Sequence, residues 1–213
     1  YEECLEFHPE TGAKQPEGKD RRTQTKSVLL GIMYSRGARA IAEQFGRDAK
    51  WGQELIDNFY KSFPSIKEII TKSMYQAEKL GYVCTITGRK RRLPNMKLDK
   101  ENYLYQEASR QCLNARIQGS SADVMKLAMV NLYNHPKFKE LNGSILMTIH
   151  DEMVIECREE VALEMAELLP EVMKATAKAM LGTKQKCDVE MSRVWSGDDC
   201  TEELNLRYNP NNN

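Results

Sequence analysis

The chain has 213 residues, 41% of them hydrophobic and 29% charged, a globular balance that excludes a disordered or low-complexity polymer. Its 31 basic and 31 acidic residues cancel to a formal charge of zero, so composition announces no nucleic-acid partner, and any such contact has to come from local charge. No apolar run approaches the roughly 20 residues of a membrane span, and the six cysteines form no Cys-x-x-Cys pair and lie at no zinc spacing from a histidine.

In chain order, residues 1 to 19 are rich in Glu, Pro, Gly and Lys and predict an irregular lead-in that ends at a helix cap, Asp20. The first helix is expected to run to about Tyr34, where Ser35-Arg36-Gly37 interrupts it before an apolar stretch reaching Phe45-Gly46. Trp51, Leu55, Phe59 and Phe63 set a second helical period, and Pro64 restarts the chain into a third carrying Ile66, Ile69, Ile70, Met74 and Ala77, closed by Gly81. Tyr82 to Ile86 predicts a short strand leading into a basic loop, Arg89-Lys90-Arg91-Arg92. A long helix is expected from about Asn102 to Tyr133, with Leu113, Ile117, Val124, Leu127, Ala128 and Leu132 as its apolar contacts. Ser144 to Ile149 and Met153 to Cys157 predict a β-hairpin turning at His150-Asp151-Glu152. Helix returns from Glu159 to Met180, where five glutamates (Glu159, Glu160, Glu164, Glu167 and Glu171) place negative charge away from the basic run. The Asn-rich end, 206 to 213, is expected to be disordered.

The chemistry starts on the first helix. Arg22, Lys26, Leu30 and Tyr34 recur every four residues and share one helix face over about 18 Å. A guanidinium and an ammonium, an apolar contact and a ring in a row are what a nucleoside triphosphate needs for its phosphates, sugar and base. An ordinary amphipathic helix explains the same face about as well, although cations in a first turn oppose the helix dipole unless an anion is present. Downstream, Arg110, Asn114 and Gln118 are again spaced by four, a possible row of hydrogen-bond donors or a plain solvated face.

The spacing Arg22-x3-Lys26-x7-Tyr34 resembles the nucleotide-binding helix in the fingers of DNA polymerases of the polymerase I family (family A). Three further segments match that family in order: Thr85-Ile-Thr-Gly-Arg-Lys-Arg-Arg-Leu-Pro94, the helix from Arg110 through Gln118-Gly119-Ser-Ser-Ala-Asp123, and Ile149-His150-Asp151-Glu152. The resemblance covers roughly residues 20 to 195. It implies an α+β fold, with mostly helical fingers at 21 to 109 including the basic loop, and the second half of a polymerase palm at 110 to 205 with its carboxylate hairpin.

The resemblance also implies template-directed DNA synthesis, with dNTPs and primer-template DNA as partners and two Mg2+ ions as cofactors. Arg22 and Lys26 would hold the phosphates, Leu30 would face the sugar, and Tyr34 the templating base. Arg110, Asn114 and Gln118 would reach minor-groove acceptors common to all base pairs, a check on pair geometry without sequence choice. Arg89 and Arg91 would contact backbone phosphates. Lys26, His150 and Asp151 would be the catalytic residues, His150 also contacting DNA and Asp151 the metal-binding carboxylate, with Glu152 the weaker metal candidate because strand neighbours face opposite ways.

The family's other essential aspartate belongs to an Asp-Tyr-Ser-x-Ile-Glu type motif ahead of the fingers, which nothing in residues 1 to 20 resembles. The expectation is a chain beginning just after that motif and inactive by itself. Leu30 stands where an aromatic residue is usual, Ser35 where glycine is usual and Thr148 where glutamine is usual. A single-subunit RNA polymerase shares the Arg-x3-Lys and Tyr logic, but the His-Asp-Glu and Gly-Arg-x-Arg elements favour the DNA enzyme. A non-catalytic nucleic-acid-binding module is the alternative from a different class. Cysteine usage and the lack of a signal-peptide pattern lead to the expectation of a bacterial cytoplasm, cellular or phage-encoded, without membrane contact.

Overall fold

The computed structural model describes residues 16–34, 36–193, 195 and 205–206, the side chains of 16–21 and 205–206 excepted. The predicted lead-in over 1–15, Ser35 and the tail from 207 onward lie outside the described residues. The architecture is α+β, with helices dominating and, among the described residues, three two-stranded antiparallel sheets. The chain divides after Ile117 into two compact units.

The first unit opens with α1 (Pro16–Met33). The helix begins four residues before the expected cap, so 16 to 20 are helical and Asp20 lies inside α1. Proline is tolerated in a first helical turn, whose N–H groups have no intrahelical acceptor. Next come α2 (Ala38–Gln44) and α3 (Ala49–Ser62), the latter capped by Asp48, whose carboxylate accepts from Trp51 N at 2.8 Å. The two helices cross at Gly52, where a Cβ would stand 2.2 Å from the Ala38 carbonyl oxygen. Pro64 starts α4 (Pro64–Leu80), and Gly81 ends it in the left-handed conformation, φ +75°, donating to Ala77 O.

The predicted basic loop is half strand. β1 (Tyr82–Cys84) pairs with β2 (Lys90–Arg92), so three of the four cations lie in a hairpin arm. The turn between them explains it: Thr85 N donates to Arg89 O and Gly88 N to Thr85 O, with Gly88 at φ +84°. A 3-10 turn (Pro94–Lys97) follows, and Asn102 Oδ1 accepts from Leu104 N at the head of α5 (Tyr103–Asn134). The core of this unit gathers Ala77, Val83, Leu93, Met96, Tyr105, Ala108 and Cys112. Polar ties join α4 to α5 beside it: Tyr105 Oη donates to Glu78 at 2.5 Å, and Arg116 to Ser73 Oγ at 3.2 Å. Ile117, expected as an apolar contact, is exposed.

The second unit holds the rest of α5, a short α6 (Pro136–Glu140) that the sequence pattern does not foresee, and the expected hairpin of β3 (Ser144–Ile149) and β4 (Glu152–Glu156). After a 3-10 turn (Glu159–Val161), α7 (Ala162–Leu181) runs through an internal Pro170. Two-residue strands β5 (Met191–Ser192) and β6 (Asn205–Leu206) pair, placing Leu206 in a strand although its position was assigned to the tail. The core joins Leu132, Phe138, Leu141, Met165, Leu168 and Val172, with Ile145, Met153 and Ile155 packed on from one face of the hairpin. Leu127, also expected as an apolar contact of α5, is exposed.

Candidate nucleotide and nucleic-acid site

α1 has two unlike flanks. At about 100° per residue, Ser27, Gly31 and Ile32 fall on the side away from Arg22 and Lys26. Ser27 bonds to Gln44 of α2, Ile32 is buried, and the Ile32 carbonyl accepts from Tyr60 Oη of α3 at 3.5 Å. Arg22 and Lys26 on the other flank are both exposed, and Leu30, three residues from Ser27 at the border between the two, is 46% exposed. Tyr34 is half-buried just past the helix end, and its N–H donates to Leu30 O at 2.9 Å. Arg22 to Leu30 thus forms an open cation-to-apolar row of about 12 Å.

In the β1–β2 hairpin Arg89, Lys90, Arg91 and Arg92 are all exposed. Arg91 lies opposite Val83, and strand alternation sends it to the face away from Lys90 and Arg92. Lys90 Nζ sits 4.5 Å from the Tyr82 ring centroid, a cation–π contact that fixes it on its own side. A pocket of about 180 Å³ opens beside the hairpin, with Arg91, Arg92, Asn95, Glu107 and Gln111 in its wall. On α5, Arg110 is exposed and Asn114 is half-buried, its Oδ1 sealed and without a hydrogen-bond partner. Gln118, exposed, is the first residue of the second unit.

The second unit carries the carboxylates. The β3–β4 turn is shorter than expected: His150 and Asp151 form the loop, and Glu152 already belongs to β4, opposite Ile149. His150 takes φ +55°, the sign required at the first position of tight hairpin turns and a conformation that non-glycine residues seldom adopt. His150, Asp151 and Glu152 are all exposed. Carboxylate oxygens are the donors magnesium takes, one or two at a time alongside water and substrate phosphates, so Asp151 and Glu152 fit as part of such a ligand set. Among the described residues no group of three or more His, Cys, Asp or Glu could hold a metal ion.

One polar cluster escapes sequence analysis altogether. Gln44 bonds both Ser27 and Arg36, across 17 and 8 residues, and no periodicity or motif flags it.

Residues 10–197 match the sequence model of DNA polymerase family A, to which the chain belongs. It is similar to the thermostable DNA polymerase I of Thermus filiformis, 32% identical over 174 residues that make up 82% of this chain and 20% of that one. DNA polymerase I of Bacillus caldotenax is 32% identical over 175 residues, again 82% and 20%. Among solved structures, the POL domain of Pol1 from M. smegmatis, in complex with DNA primer-template and dNTP, superimposes with a TM-score of 0.68 at 30% identity, covering 76% of this chain and 28% of that one. The chain spans about a fifth of the length of these curated relatives. No helix among the described residues is long and apolar enough to cross a membrane.

Proposed function

We propose that these residues form the nucleotide-binding fingers and part of the palm of a template-directed DNA polymerase, which joins dNTPs to a primer 3′-hydroxyl. The observation that carries the proposal is the two-flanked α1: one side is tied to α2 and α3, and the side bearing Arg22, Lys26 and Leu30 is open. Further support comes from the structural relative that holds primer-template DNA and dNTP.

Arg22 binds the outer phosphates of the incoming nucleotide and Lys26 the inner ones, each charge-assisted contact contributing roughly 1.5 to 3 kcal/mol. Leu30 packs against the sugar, and Tyr34 against the templating base. Arg89 and Arg91 hold backbone phosphates, a salt-sensitive and sequence-independent contact. Arg110, Asn114 and Gln118 test the shape of the pair in the minor groove. His150 and Asp151 meet the primer end, and Asp151 binds magnesium, with Glu152 the lesser candidate. Bound magnesium supplies charge that neutralises the phosphates and activates the primer hydroxyl. The proposed activity is that of the polymerase to which these residues belong.

Primer extension by that complete polymerase tests the proposal. Lys26→Ala should lower turnover by on the order of 10² to 10³ fold, the scale of losing one preorganised contact to developing charge. Primer-template affinity should hardly change. Affinity falling in step with turnover would instead assign Lys26 to the DNA backbone and refute the nucleotide site.

A further inference from the structure

Gln44 closes α2, and its side-chain amide is where three segments meet. Oε1 accepts from Arg36 Nη1 at 2.9 Å and from Ser27 Oγ at 3.2 Å, and Nε2 lies 3.1 Å from the same hydroxyl, so Ser27 is bonded whichever way it turns. Arg36 is fixed from two more directions. Its N–H donates to Gly31 O at 2.8 Å, and its stem lies along the bare face of Gly31, where a Cβ would stand 3.3 Å from Cδ. Ser27 directly follows Lys26, and Arg36 lies two residues beyond Tyr34. The amide therefore grips the segment that presents both side chains, at its two ends.

Apolar packing beneath this cluster sets only the spacing of the helices. Ile32 and Ile41 are buried there, but dispersion and hydrophobic contact are non-directional and leave rotation of α1 about its axis weakly held. Hydrogen bonds are directional and resist that rotation. The lever is long: a Lys26 ammonium about 8 Å from the helix axis moves roughly 1.4 Å for a rotation of about 10°. Displacements of about 1 Å are enough to spoil a charge-assisted phosphate contact.

We infer that Gln44 is a positioning residue for the incoming nucleotide, locking the rotation of α1 so that Lys26 and Tyr34 are held ready before the nucleotide arrives. This rests on the function proposed above. Gln44 touches neither nucleotide nor DNA and acts through Ser27 and Arg36.

The experiment is steady-state primer extension by the complete polymerase against dNTP concentration, with primer-template affinity and the thermal midpoint measured on the same samples. Gln44→Leu keeps the bulk and loses both bonds. It should raise KM for dNTP about three- to tenfold, the scale of one or two lost hydrogen bonds, and lower kcat by a smaller factor, with DNA affinity and midpoint little changed. Gln44→Glu keeps the acceptors and adds a charge towards Arg36, and should bring KM back to within about twofold. Arg36→Met should raise KM as well, and combining it with Gln44→Leu should add little, since both break one linkage. An unchanged KM in Gln44→Leu, with Lys26→Ala still impaired, would overturn the inference and spare the proposed function. Normal behaviour of both variants would overturn both. A lowered midpoint with kcat falling as much as KM rises, and no rescue by Gln44→Glu, would make Gln44 a merely structural residue and overturn the inference as well.

Discussion

Gly52→Ala sets two effects of known size against each other. Alanine in a helix interior is worth about 1 kcal/mol over glycine, so propensity alone would make the variant more stable. Against that, the new Cβ would stand 2.2 Å from Ala38 O, 2.9 Å from Ala38 C and 3.1 Å from the Ala42 Cβ. Carbon and oxygen rarely come closer than about 3.3 Å, so α2 and α3 must separate by about 1 Å. The obstacle is the backbone of a helix's first turn, which cannot swing aside as a side-chain tip can. Parting the helices also loosens Ile41 and Ala42, each 1% exposed. Overpacking of this kind costs about 1 to 3 kcal/mol beyond the propensity gain, and the clash wins. At about 4 °C per kcal/mol for a unit of this size, the thermal midpoint should drop by roughly 4 to 12 °C. Gly37→Ala is the control, because nothing lies within 4 Å of its Cβ position, and its midpoint should correspond to a change within about 1 kcal/mol. Differential scanning calorimetry on both variants decides the matter. A Gly52→Ala midpoint equal to or above wild type would show that the helices do not cross this closely.

Tyr105→Phe should change how stability depends on pH at both ends. Burial first, then the bond to Glu78 and its charge, push the Tyr105 hydroxyl up to about 12, so its contribution is complete below pH 10 and lost as pH rises towards 12. The same bond holds Glu78 below the usual carboxylate range, so that contribution is present above about pH 4.5 and lost as pH falls. The variant should lie about 1 to 2 kcal/mol lower at neutral pH with flatter acid and alkaline limbs, and urea midpoints at pH 4, 7 and 11 that parallel wild type would refute this. At His150, φ +55° costs a non-glycine residue about 1 kcal/mol, which glycine relieves while giving back a similar amount in unfolded-state entropy. His150→Gly should therefore leave the urea midpoint nearly unchanged and lower primer extension, whereas His150→Val should destabilise by about 1 to 2 kcal/mol; equal midpoints for the two variants would show that the turn is not strained.

The parts legible in the sequence are those in which a residue's own neighbours decide its conformation. Gly81 ends α4 because only the left-handed region suits that cap, and Pro64 starts the same helix because its missing N–H has no partner to lose. The β-prone runs Ser144 to Ile149 and Met153 to Cys157 marked a hairpin, whose turn is one residue shorter than expected. The four-residue spacing from Arg22 to Leu30 placed those side chains on one flank of α1, and that flank is open. The failures share a different cause. Lys90 to Arg92 read as a loop because three exposed cations show no strand period, and their pairing with Tyr82 to Cys84 depends on how the turn from Thr85 to Arg89 brings the arms together. Asn114 has the spacing of an exposed donor, yet its Oδ1 is sealed, which no helical wheel could register.

Gln44 and Gly52 illustrate the limit most sharply. One is a polar residue at a helix end and the other a glycine that propensity would disfavour in a helix, and each takes its meaning from an atom on another segment: Ser27 Oγ for the amide, Ala38 O for the missing Cβ. Residues that display chemistry to solvent advertise themselves by charge and period, because periodicity is how a helix builds a face. Residues that set where the face points do so through single directional contacts, which have no period to read. Substitutions at such positions should therefore move KM or the midpoint without touching any recognisable motif.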